Sequence, residues 1–557
     1  MKYVIIGGVA GGATTAARLR RLDENCEIVM FERGEYISYA NCGLPYYIGD
    51  TIAERKALFL QTPVSFGNRY NVEVRIKSDV IAVDPGAKMV KVHNLNNGKE
   101  YTESYDKLVL APGALPVIPP IQGIDSERVF TLRSVFDTDR IKEAVSLPTG
   151  KLKKAVVVGA GFIGLEMAEN LHQLGYAVTI VEKASQVMPA VDAPIAAVVQ
   201  KTLKNHNINI ILNQSVTKFT TQNDELDIQL SDGSNLSCDF AVLSIGVKPN
   251  TELAASAQVE LGKAGGILVN EYMQTLQTDI YAVGDVIEFK NPISGISSCC
   301  YLAGPANRQA RLCADNMVLG HHHPYHGAIG TAIAKVFNLT VGSTGLSEQY
   351  LLKNNISYLT SITHPFSHAT YYPESKQMSI KINFDPKSGK LIGAQVVGED
   401  GVDKRLDLLA SVISRGGNVM ELTEIEHAYA PPYSSAKDPV AYAGYVAENI
   451  LLKRFFPIQW HELQRIISTQ GWQDDYLLID VRSAMEVKNG AIEGAVNYPV
   501  DELREFLDDI PKDKTIIIYC AVGLRGYIAS RILLQSGFDK VLNLSGGYKT
   551  YQLMKNL

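Results

Sequence analysis

Two cysteines stand in sequence settings that suit sulfur chemistry. Cys42 lies within the segment SYANCGLPY, residues 38–46, and Cys520 ends the apolar run Ile516–Tyr519. A thiolate can attack a disulfide or persulfide, form a mixed disulfide and be regenerated by a reductant. Each cysteine is therefore a candidate redox or sulfur-carrying group. The elements around the two thiols must supply electrons or stabilise an anion.

A redox-active cysteine needs a source of electrons, which a dinucleotide cofactor can supply. The chain contains a glycine-rich turn of the kind that binds such a cofactor. A strand-like run leads into Gly159, Gly161 and Gly164, which have the full G-x-G-x-x-G spacing. In this pattern the glycines permit a tight turn, close approach of backbone to a pyrophosphate, and packing of helix on strand. Glu182 closes the next strand, where a carboxylate accepts hydrogen bonds from an adenosine ribose and repels a 2′-phosphate. The pattern predicts NADH, while Lys183 beside Glu182 keeps NADPH as an alternative.

A similar turn lies at the N-terminus and contains four glycines: Gly7, Gly8, Gly11 and Gly12. Val9 occupies the second glycine position of the pattern, so Gly8 and Gly11 are expected to supply the missing flexibility. Glu32 closes the second strand as the ribose acceptor. Two dinucleotide folds in one chain need two cofactors, and FAD that receives electrons from a nicotinamide is the usual reason.

Composition excludes several other classes of protein. The chain has 557 residues and a net charge of −6, which provides no basic face for nucleic acid or an anionic membrane. No apolar run approaches the roughly 20 residues that span a bilayer. Seven cysteines without a C-x-x-C pair predict neither a disulfide framework nor a metal site. We expect a cytoplasmic protein with small-molecule partners. The consecutive histidines His321–His323 are expected to lie in a surface loop.

The elements that position these residues follow an α/β pattern. The same unit of strand, glycine turn, helix and strand ending in an acid occurs twice, at residues 1–32 and 154–182, which predicts parallel sheets in two Rossmann-like domains. Residues 327–397 are strand-rich and precede a helical run, which predicts an α+β domain. A boundary is expected near residue 450, after which an independent small α/β pattern begins at Ile458.

The order of these motifs resembles the pyridine nucleotide-disulfide oxidoreductases over about residues 1–445. The resemblance rests on the two glycine turns, on YDKLVLAPGA at 105–114 and on TDIYAVGD at 278–285. It implies a discontinuous FAD domain at 1–120 and 246–320, an NAD(H) domain at 121–245 and a dimerisation domain at 321–448.

The same resemblance implies particular cofactor contacts. Asp285 is expected to bind the flavin ribitol, and the segment before Pro305 is expected to lie against the isoalloxazine. Six further contacts are implied: Arg33, Ala111, Gly113, Gly246, Gly284 and Ala303.

The setting of Cys42 narrows the resemblance. Relatives such as glutathione reductase use two cysteines five residues apart, whereas Tyr47 stands at the second position here. A single cysteine in this setting resembles the coenzyme A-disulfide reductases, with NADH oxidases and peroxidases as close relatives. Cys42 would then rest as a mixed disulfide with coenzyme A. The implied coenzyme A contacts are Arg18, Arg21, Ser38, Asn41 and Arg69, although a solvated helix face is the alternative for Arg18 and Arg21.

Tyrosines of the dimerisation domain resemble groups that reach the partner subunit's active site in this family. Tyr371, Tyr429 and Tyr433 are the candidates, and their hydroxyls could donate hydrogen bonds to a leaving coenzyme A thiolate. A packing role is the alternative for each. The resemblance implies a homodimer with shared active sites.

The C-terminal residues 458–557 resemble a rhodanese domain. The matching segments are LLIDVR at 477–482, GAIEGAVN at 490–497, IIIYCAVGLR at 516–525 and LSGGY at 544–548. Loop amides and a helix N-terminus would stabilise a thiolate or persulfide at Cys520, and Arg525 would add positive charge. Four residues separate Cys520 from Arg525, whereas a protein tyrosine phosphatase has five, so the smaller loop favours sulfur over phosphate.

These features lead to one hypothesis and two rivals. NADH would reduce FAD, FAD would reduce the Cys42 centre, and the substrate would be coenzyme A persulfide, polysulfide or coenzyme A disulfide, with Cys520 handling sulfane sulfur. One rival is an NADH oxidase or peroxidase that works through a Cys42 sulfenic acid. The other is a sulfurtransferase in which the flavin part is only a scaffold.

Overall fold

The chain divides into two compact units in a computed structural model that describes residues 1–146, 153–222 and 225–555. The first unit comprises Met1–Ser185 and Asn207–Gly330. The second comprises Gln186–His206 and the chain from Thr331 onward. The segment Gln186–His206 thus belongs to a different unit from the residues on either side of it.

One five-stranded parallel sheet of the first unit contains the N-terminal strand. Its strand order is Ile280–Ala282, Lys107–Leu110, Lys2–Ile6, Glu27–Phe31 and Glu73–Arg75. The central strands are almost wholly apolar and buried, as parallel strands covered on both faces must be. The helix Ala10–Leu22 follows the N-terminal strand and packs on the helix Ala303–Leu319. Segments almost 300 residues apart in sequence therefore build one layer.

A second five-stranded parallel sheet of the first unit contains the strand before Gly159. Its strand order is Asn209–Ile211, Ala177–Val181, Lys154–Val158, Phe240–Leu243 and Val129–Thr131. The helix Phe162–Gln173 follows the central strand. Each parallel sheet therefore has a glycine turn between its central strand and the next helix.

Smaller elements complete the first unit. Two antiparallel sheets contain the strands Ser78–Asp84, Met89–Asn94 and Glu100–Ser104, and the strands Val216–Gln222, Glu225–Leu230 and Asn235–Cys238. Further short strands are Ala114–Pro116, Val247–Pro249, Ile267–Leu268, Ile287–Lys290 and Ser297–Ser298. The remaining helices are Leu44–Ile48, Pro63–Tyr70 and Val135–Ser146, with 3₁₀ turns at Asn41–Gly43 and Arg55–Leu58.

The second unit begins with an antiparallel sheet and its helices. The strand order is Ala332–Val336, Leu339–Gly345, Leu391–Gly398, Ser379–Phe384 and Leu359–Thr363. The helices are Ala193–Asn205, Glu348–Lys353, Val402–Ser414, Glu421–Glu424 and Pro439–Leu451. Asp192, just before the first of these helices, accepts a hydrogen bond at 2.7 Å from the buried ammonium of Lys381. This ion pair holds the inserted helix on the sheet.

A parallel sheet forms the C-terminal part of the second unit. Its strand order is Phe456–Ile458, Val541–Leu544, Thr515–Tyr519, Tyr476–Asp480 and Val496–Asn497. The helices are Trp460–Ile467, Ala484–Lys488, Leu524–Gln535 and Gly547–Lys555, with 3₁₀ turns at Trp472–Asp474 and Leu503–Asp509. The predicted fold class is confirmed: two parallel α/β sheets, an α+β region and a C-terminal α/β domain.

Within the described ranges, no helix has the length and apolar character that a membrane span requires. Those residues also contain no group of three His, Cys, Asp or Glu side chains arranged to hold a metal ion. His321 is exposed, and its ring stacks on Tyr272 with the centroids 4.5 Å apart.

Candidate active site

The Cys42 thiol lies in the 3₁₀ turn Asn41–Gly43, immediately before the helix Leu44–Ile48. Cys42 is exposed. The surrounding protein nevertheless desolvates the thiol enough to raise its pKa, and the negative charge of Glu166 acts in the same direction. The protein's own side chains therefore favour the thiol over the thiolate.

A tyrosine and a carboxyl group form a pair beside Cys42. The Tyr46 hydroxyl lies 3.3 Å from Glu166 Oε1, and burial raises the pKa of Glu166 to about 7. A carboxyl group with this pKa can donate or accept a proton near neutral pH. The sequence prediction gave neither residue a role. Tyr46 ends the segment that contains Cys42, and Glu166 follows the third glycine of the second turn by two positions.

Asp285 and Arg133 form a second charged pair near the same thiol. Arg133 Nη2 lies 3.5 Å from Asp285 Oδ2. Burial raises the pKa of Asp285, while the Arg133 charge opposes that shift. The two charges also act on the pKa of Cys42, which Arg133 lowers and Asp285 raises. The structure thus brings the predicted flavin contact Asp285 close to the predicted redox cysteine, and it adds Arg133, which sequence reasoning missed.

The first glycine turn is a close-packed cradle. Gly7 has a φ of +101°, and a Cβ on Gly12 would lie 1.8 Å from the Gly7 carbonyl oxygen. Glu32 closes the turn because its two carboxylate oxygens accept hydrogen bonds from the N–H of Gly8 at 2.8 Å and of Gly34 at 2.7 Å. Gly8 and Gly11 do not have a positive φ, so Gly7, rather than these two glycines, provides the positive φ that the turn requires. Gly12 is the glycine at which the helix approaches the turn closely.

The second glycine turn is built in the same way. Gly159 has a φ of +102°, and a Cβ on Gly164 would lie 2.0 Å from the Gly159 carbonyl oxygen. The carboxylate of Glu182 accepts hydrogen bonds from the N–H of Ala160 at 2.7 Å and of Ala184 at 2.8 Å. A Cβ on Gly161 would meet no atom within 4 Å, which leaves the space that a pyrophosphate needs.

The other predicted cofactor contacts lie in loops and at one helix start of the first unit. A Cβ on Gly7 would lie 2.2 Å from the Ala111 carbonyl oxygen, and one on Gly113 would lie 2.8 Å from Arg133 Nη2. Gly284 has a φ of +82°, and Ala303 begins the helix that packs on Ala10–Leu22.

Space is present beside both turns. A cavity of about 80 Å³ beside the first turn is lined by Gly7, Glu32 and Arg33. Gly246 has a φ of +110° and open space around it, and it follows Ser244, which lies against Gly159. The glycine turns themselves, rather than this small cavity, fit the pyrophosphate of one dinucleotide at each turn.

The predicted coenzyme A contacts have different environments. Arg18 Nε donates to Asp315 Oδ1 at 2.6 Å, so its charge is already paired. Arg21 is exposed, and its Nε donates to the Ala17 carbonyl at 2.9 Å. Arg69 is exposed at the end of the helix Pro63–Tyr70.

Near Cys42, the side-chain oxygen of Asn41 is buried and has no hydrogen-bond partner in the described part of the chain. A ligand bound at Cys42 could satisfy that oxygen. Ser38 has a φ of +47°, and its backbone joins the first glycine turn through its N–H, which donates to Gly8.

The tyrosines of the second unit form a pair at the surface. The hydroxyl oxygens of Tyr371 and Tyr429 lie 3.0 Å apart, and both residues are exposed. Tyr433 is exposed in the segment that follows Tyr429. Buried Arg405 binds the backbone behind both segments: its Nη2 donates to the Ser367 carbonyl at 2.8 Å and more weakly to the Tyr433 carbonyl at 3.4 Å. The fold therefore brings Tyr371 and Tyr429 together.

Cys520 lies at the carboxyl end of the strand Thr515–Tyr519 and is 1 % exposed. The N–H of Gly523 donates to Cys520 Sγ at 3.1 Å. Gly547 approaches the loop from behind, where a Cβ would lie 2.5 Å from the Cys520 carbonyl oxygen. One loop amide therefore contacts the sulfur, and the helix Leu524–Gln535 begins next in the chain.

The positive charge of Arg525 is paired with a nearby carboxylate. Its two terminal nitrogens donate to the two carboxylate oxygens of Glu486, at 2.6 and 2.7 Å. This bidentate pair lowers the pKa of Glu486 to about 2, and the Glu486 carboxylate opposes the positive charge that Arg525 brings to the Cys520 loop. Sequence reasoning missed Glu486, which lies 39 residues away.

Family models match most of the chain. Residues 1–308 match the model described as pyridine nucleotide-disulphide oxidoreductase, and residues 331–440 match the dimerisation domain of that family. Residues 459–554 match a rhodanese-like domain. The dimerisation domain indicates a homodimer.

Individual proteins agree with these matches. The chain is 35 % identical to the coenzyme A disulfide reductase of Staphylococcus haemolyticus over 449 residues, which are 81 % of this chain and 100 % of that protein. The structure resembles reduced CoADR-RHD of Bacillus anthracis, with a TM-score of 0.96, 46 % identity and coverage of 100 % and 98 % of the two chains.

Two further solved structures extend the comparison. An NAD-dependent persulfide reductase from A. fulgidus has a TM-score of 0.90, 37 % identity and coverage of 99 % and 100 %. The water-forming NADH oxidase of Lactobacillus brevis has a TM-score of 0.78, 26 % identity and coverage of 82 % and 99 %. The chain is therefore a flavin-dependent oxidoreductase that belongs to the pyridine nucleotide-disulphide oxidoreductase family and carries a C-terminal rhodanese-like domain.

Proposed function

We propose that this protein is an NADH-dependent reductase of coenzyme A persulfide, polysulfide or coenzyme A disulfide, and that its rhodanese-like domain handles sulfane sulfur. The observation that carries the proposal is the position of Cys42, an exposed thiol whose pKa responds to Asp285 of the first cradle and to Glu166 of the second. We infer that electrons from both dinucleotide folds would converge on this one thiol.

In the proposed enzyme the first cradle, within residues 1–120 and 246–320, holds FAD, and the second, within 121–245, holds NADH. FAD bound there would pass two electrons from the nicotinamide to sulfur. Gly7 and Gly159 shape the two turns, while Glu32 and Glu182 fix them through backbone hydrogen bonds. Glu182 follows the strand after the second turn, so its carboxylate would face the ribose of a bound nicotinamide cofactor and would favour NADH over NADPH.

Cys42 provides the attacking sulfur. Its thiolate would attack the coenzyme A-bearing sulfur of the substrate, release sulfide or coenzyme A thiolate, and remain as a mixed disulfide with coenzyme A. The Tyr46–Glu166 pair would take the proton from Cys42 and return it to the product, because the pKa of Glu166 is about 7 and both groups interact electrostatically with Cys42.

Coenzyme A would be held by groups on both sides of Cys42. Asn41 offers its unpaired buried oxygen, and the exposed Arg21 offers a phosphate contact. In the proposed homodimer the exposed Tyr371–Tyr429 pair would serve the partner subunit's site, where a hydroxyl would stabilise the leaving thiolate. The names of the S. haemolyticus, B. anthracis and A. fulgidus proteins support coenzyme A and persulfide chemistry.

Sulfide release in the absence of oxygen tests the proposal. NADH-dependent sulfide production from coenzyme A persulfide and from polysulfide is measured for the wild type, Cys42→Ser and Cys520→Ser. We expect Cys42→Ser to lose turnover at least about a thousandfold, because the attacking sulfur is gone. Cys520→Ser should lose mainly the persulfide and polysulfide reactions and keep the reduction of coenzyme A disulfide, which releases no sulfide and is followed by NADH oxidation. Cys299→Ser is the matched control, because Cys299 is a partly exposed cysteine with no assigned role.

Other outcomes would favour the rivals. Undiminished sulfide release by Cys42→Ser would remove the central claim. Vigorous turnover of oxygen or peroxide, with Cys42 trapped as a sulfenic acid, would favour an NADH oxidase or peroxidase. The oxidase stays a second candidate because the structure is similar to that of the L. brevis NADH oxidase. Sulfur transfer by Cys520 that is indifferent to NADH would favour the sulfurtransferase with a flavin scaffold.

A further inference from the structure

A largely apolar cavity of about 250 Å³ lies within the second unit, where the dimerisation domain meets the rhodanese-like domain. The dimerisation domain contributes the edge strand Leu359–Thr363 and the helix Pro439–Leu451. The rhodanese-like domain contributes the loop Val522–Leu524 and the end of the strand Val541–Leu544. None of the predicted flavin, nicotinamide or coenzyme A contacts lines this space. Junctions between domains are common positions of small-molecule sites.

Four aromatic side chains line the cavity: Tyr442, Tyr445, Phe455 and Tyr527. Val446 adds an aliphatic group from the same helix as the first two. Aromatic side chains pack well against an aromatic ligand, with the rings offset or edge to face. Sites for drug-sized ligands usually occupy roughly 300–1,000 Å³. The smaller volume here therefore suits a single ring system with a short substituent.

Two buried polar residues of the lining each have a side-chain oxygen without a partner. Ser361 Oγ and Asn543 Oδ1 form no hydrogen bond with any residue that the structure describes, although Ser361 is only 2 % exposed and Asn543 only 4 %. The nitrogen of the Asn543 amide donates weakly to the Gly523 carbonyl, at 3.5 Å. An unpaired buried oxygen is costly, and such oxygens usually bind a ligand or an ordered water. The two oxygens indicate that a ligand of this cavity carries polar groups as well as an apolar body.

Lys437 determines the charge that the cavity accepts. Among the described residues that form the lining, it is the only one with a charged side chain, and it is exposed. A carboxylate matches this arrangement, because it can accept hydrogen bonds from the Lys437 ammonium and from the hydroxyl of Ser361. A doubly charged ligand would lose more hydration than one exposed lysine returns. The lining therefore favours a ligand with one negative charge.

We propose that this cavity binds one molecule of a compact aromatic carboxylic acid that also carries a hydroxyl or N–H group. The ring lies among the aromatic side chains, and the carboxylate accepts hydrogen bonds from Lys437 and Ser361. The hydroxyl or N–H group of the ligand donates to Asn543 Oδ1. Because the ligand contacts both domains, its binding stabilises the junction between them. The lining contains neither Cys42 nor Cys520, so this inference does not rest on the proposed function.

Calorimetric titration of the full-length protein with 4-hydroxyphenylacetate tests the site. We expect one molecule to bind per chain with a Kd on the order of 0.1–1 mM, which is ordinary for a ligand of this size. Phenylacetate lacks the hydroxyl that Asn543 would bind, and tyramine carries an ammonium in place of the carboxylate. Each should bind at least about tenfold more weakly. Saturating 4-hydroxyphenylacetate should also raise the melting temperature of the protein by a few degrees.

Variants of the lining locate the binding. Val446→Phe fills the cavity and should abolish the binding of 4-hydroxyphenylacetate. Ser361→Ala should weaken binding about tenfold, yet leave the melting temperature of the ligand-free protein unchanged or higher, because it removes an unpaired buried oxygen. Lys437→Gln should weaken binding about fivefold or more, because it removes the positive charge. Lys353→Gln, which changes an exposed lysine of the same unit outside the lining, is the matched control and should bind as the wild type does.

Two results would overturn the proposal. One is the absence of binding at about 10 mM 4-hydroxyphenylacetate, which would leave ordered water as the partner of the two buried oxygens. The other is binding that Val446→Phe and Ser361→Ala leave unchanged, because the acid would then occupy another surface. Ser361→Ala removes a single oxygen, so it remains informative if Val446→Phe does not fold. Cys42→Ser and Cys520→Ser should bind the acid normally, so failure of the sulfur reactions and failure of this site are distinguishable.

Discussion

At the residue scale, the reactivity of Cys42 depends on the charged groups around it as well as on the thiol itself. Glu166 and Asp285 both raise the pKa of the thiol, while Arg133 lowers it. Because the pKa of Glu166 is about 7, its charge changes within the range in which the enzyme would work. The reactivity of Cys42 should therefore depend on pH through a neighbour as well as through its own ionisation.

Glu166→Gln should make Cys42 more reactive above pH 7. Glu166 is mostly neutral below that pH and mostly charged above it, so only above pH 7 does it disfavour the thiolate. Removing the charge lowers the pKa of Cys42, and we expect alkylation of Cys42 by iodoacetamide at pH 8 to be about two- to threefold faster than in the wild type. The two rates should converge at pH 6. Glu127→Gln, which changes an exposed carboxylate, is the control. If Glu166→Gln and the wild type are alkylated at equal rates at pH 8, the Glu166 charge does not act on the pKa of Cys42.

At the element scale, the two cradles share one construction although their sequences differ. In each, a glycine with φ near +100° makes the turn, a second glycine five residues later touches its carbonyl, and a carboxylate from the next strand binds the turn's amide. Val9 fits the first copy because the position that it fills needs no positive φ. The departure from the sequence pattern therefore leaves the backbone geometry intact.

Gly164→Ala and Gly161→Ala should separate packing from cofactor binding. The Gly164 Cβ would lie 2.0 Å from a backbone oxygen, so the helix Phe162–Gln173 must shift, and we expect a loss of stability of about 1–3 kcal/mol or more. The Gly161 Cβ would meet nothing within 4 Å, so this variant should keep its melting temperature and bind NADH about tenfold or more weakly. Thermal melts and NADH titration check both, and normal NADH affinity in Gly161→Ala would argue against a pyrophosphate at this turn.

At the scale of the second unit, the rhodanese-like domain is joined to the dimerisation domain by buried polar contacts. The ring of His364 shares hydrogen bonds of 2.8 Å with Ser379 on one side and with Thr550, of the C-terminal helix, on the other. Lys549 of the same helix donates to Gln377 at 2.6 Å, and burial lowers the pKa of Lys549 to about 8. In this unit, the loop that follows Cys520 and the helix Pro439–Leu451 both line a cavity of about 250 Å³.

The His364 contact should make this unit sensitive to acid. Burial, with the nearby Lys549 charge, lowers the pKa of His364 to about 3, while the unfolded chain titrates near 6.5. The stabilising effect of a neutral His364 is complete above pH 6.5, and it is lost at about 1.4 kcal/mol per pH unit as pH falls from 6.5 towards 3. His364→Gln should be less stable than the wild type at pH 7, and the difference in melting temperature should shrink by pH 5. A constant difference across that range would show that His364 is not buried in neutral form.

The sequence by itself determined the features that depend on local backbone geometry. The glycine turns, the acids that close the next strands, the settings of Cys42 and Cys520 and the order of the domains all have characteristic spacings, because turns, strand ends and helix starts are short-range structures. The fold class and the family followed from these. The same patterns gave Tyr371 and Tyr429 only as separate candidates.

The tertiary structure decided which charges face which sulfur. Tyr46 and Glu166 are 120 residues apart, Arg133 and Asp285 are 152 apart, and Arg525 meets Glu486 across 39 residues. Burial and ion pairing arise only when distant segments pack, so no spacing rule could predict the raised pKa of Glu166 or the ion pair of Arg525. Packing also placed Tyr442 beside the Cys520 loop, because side chains from separate domains form a cavity only where their surfaces meet.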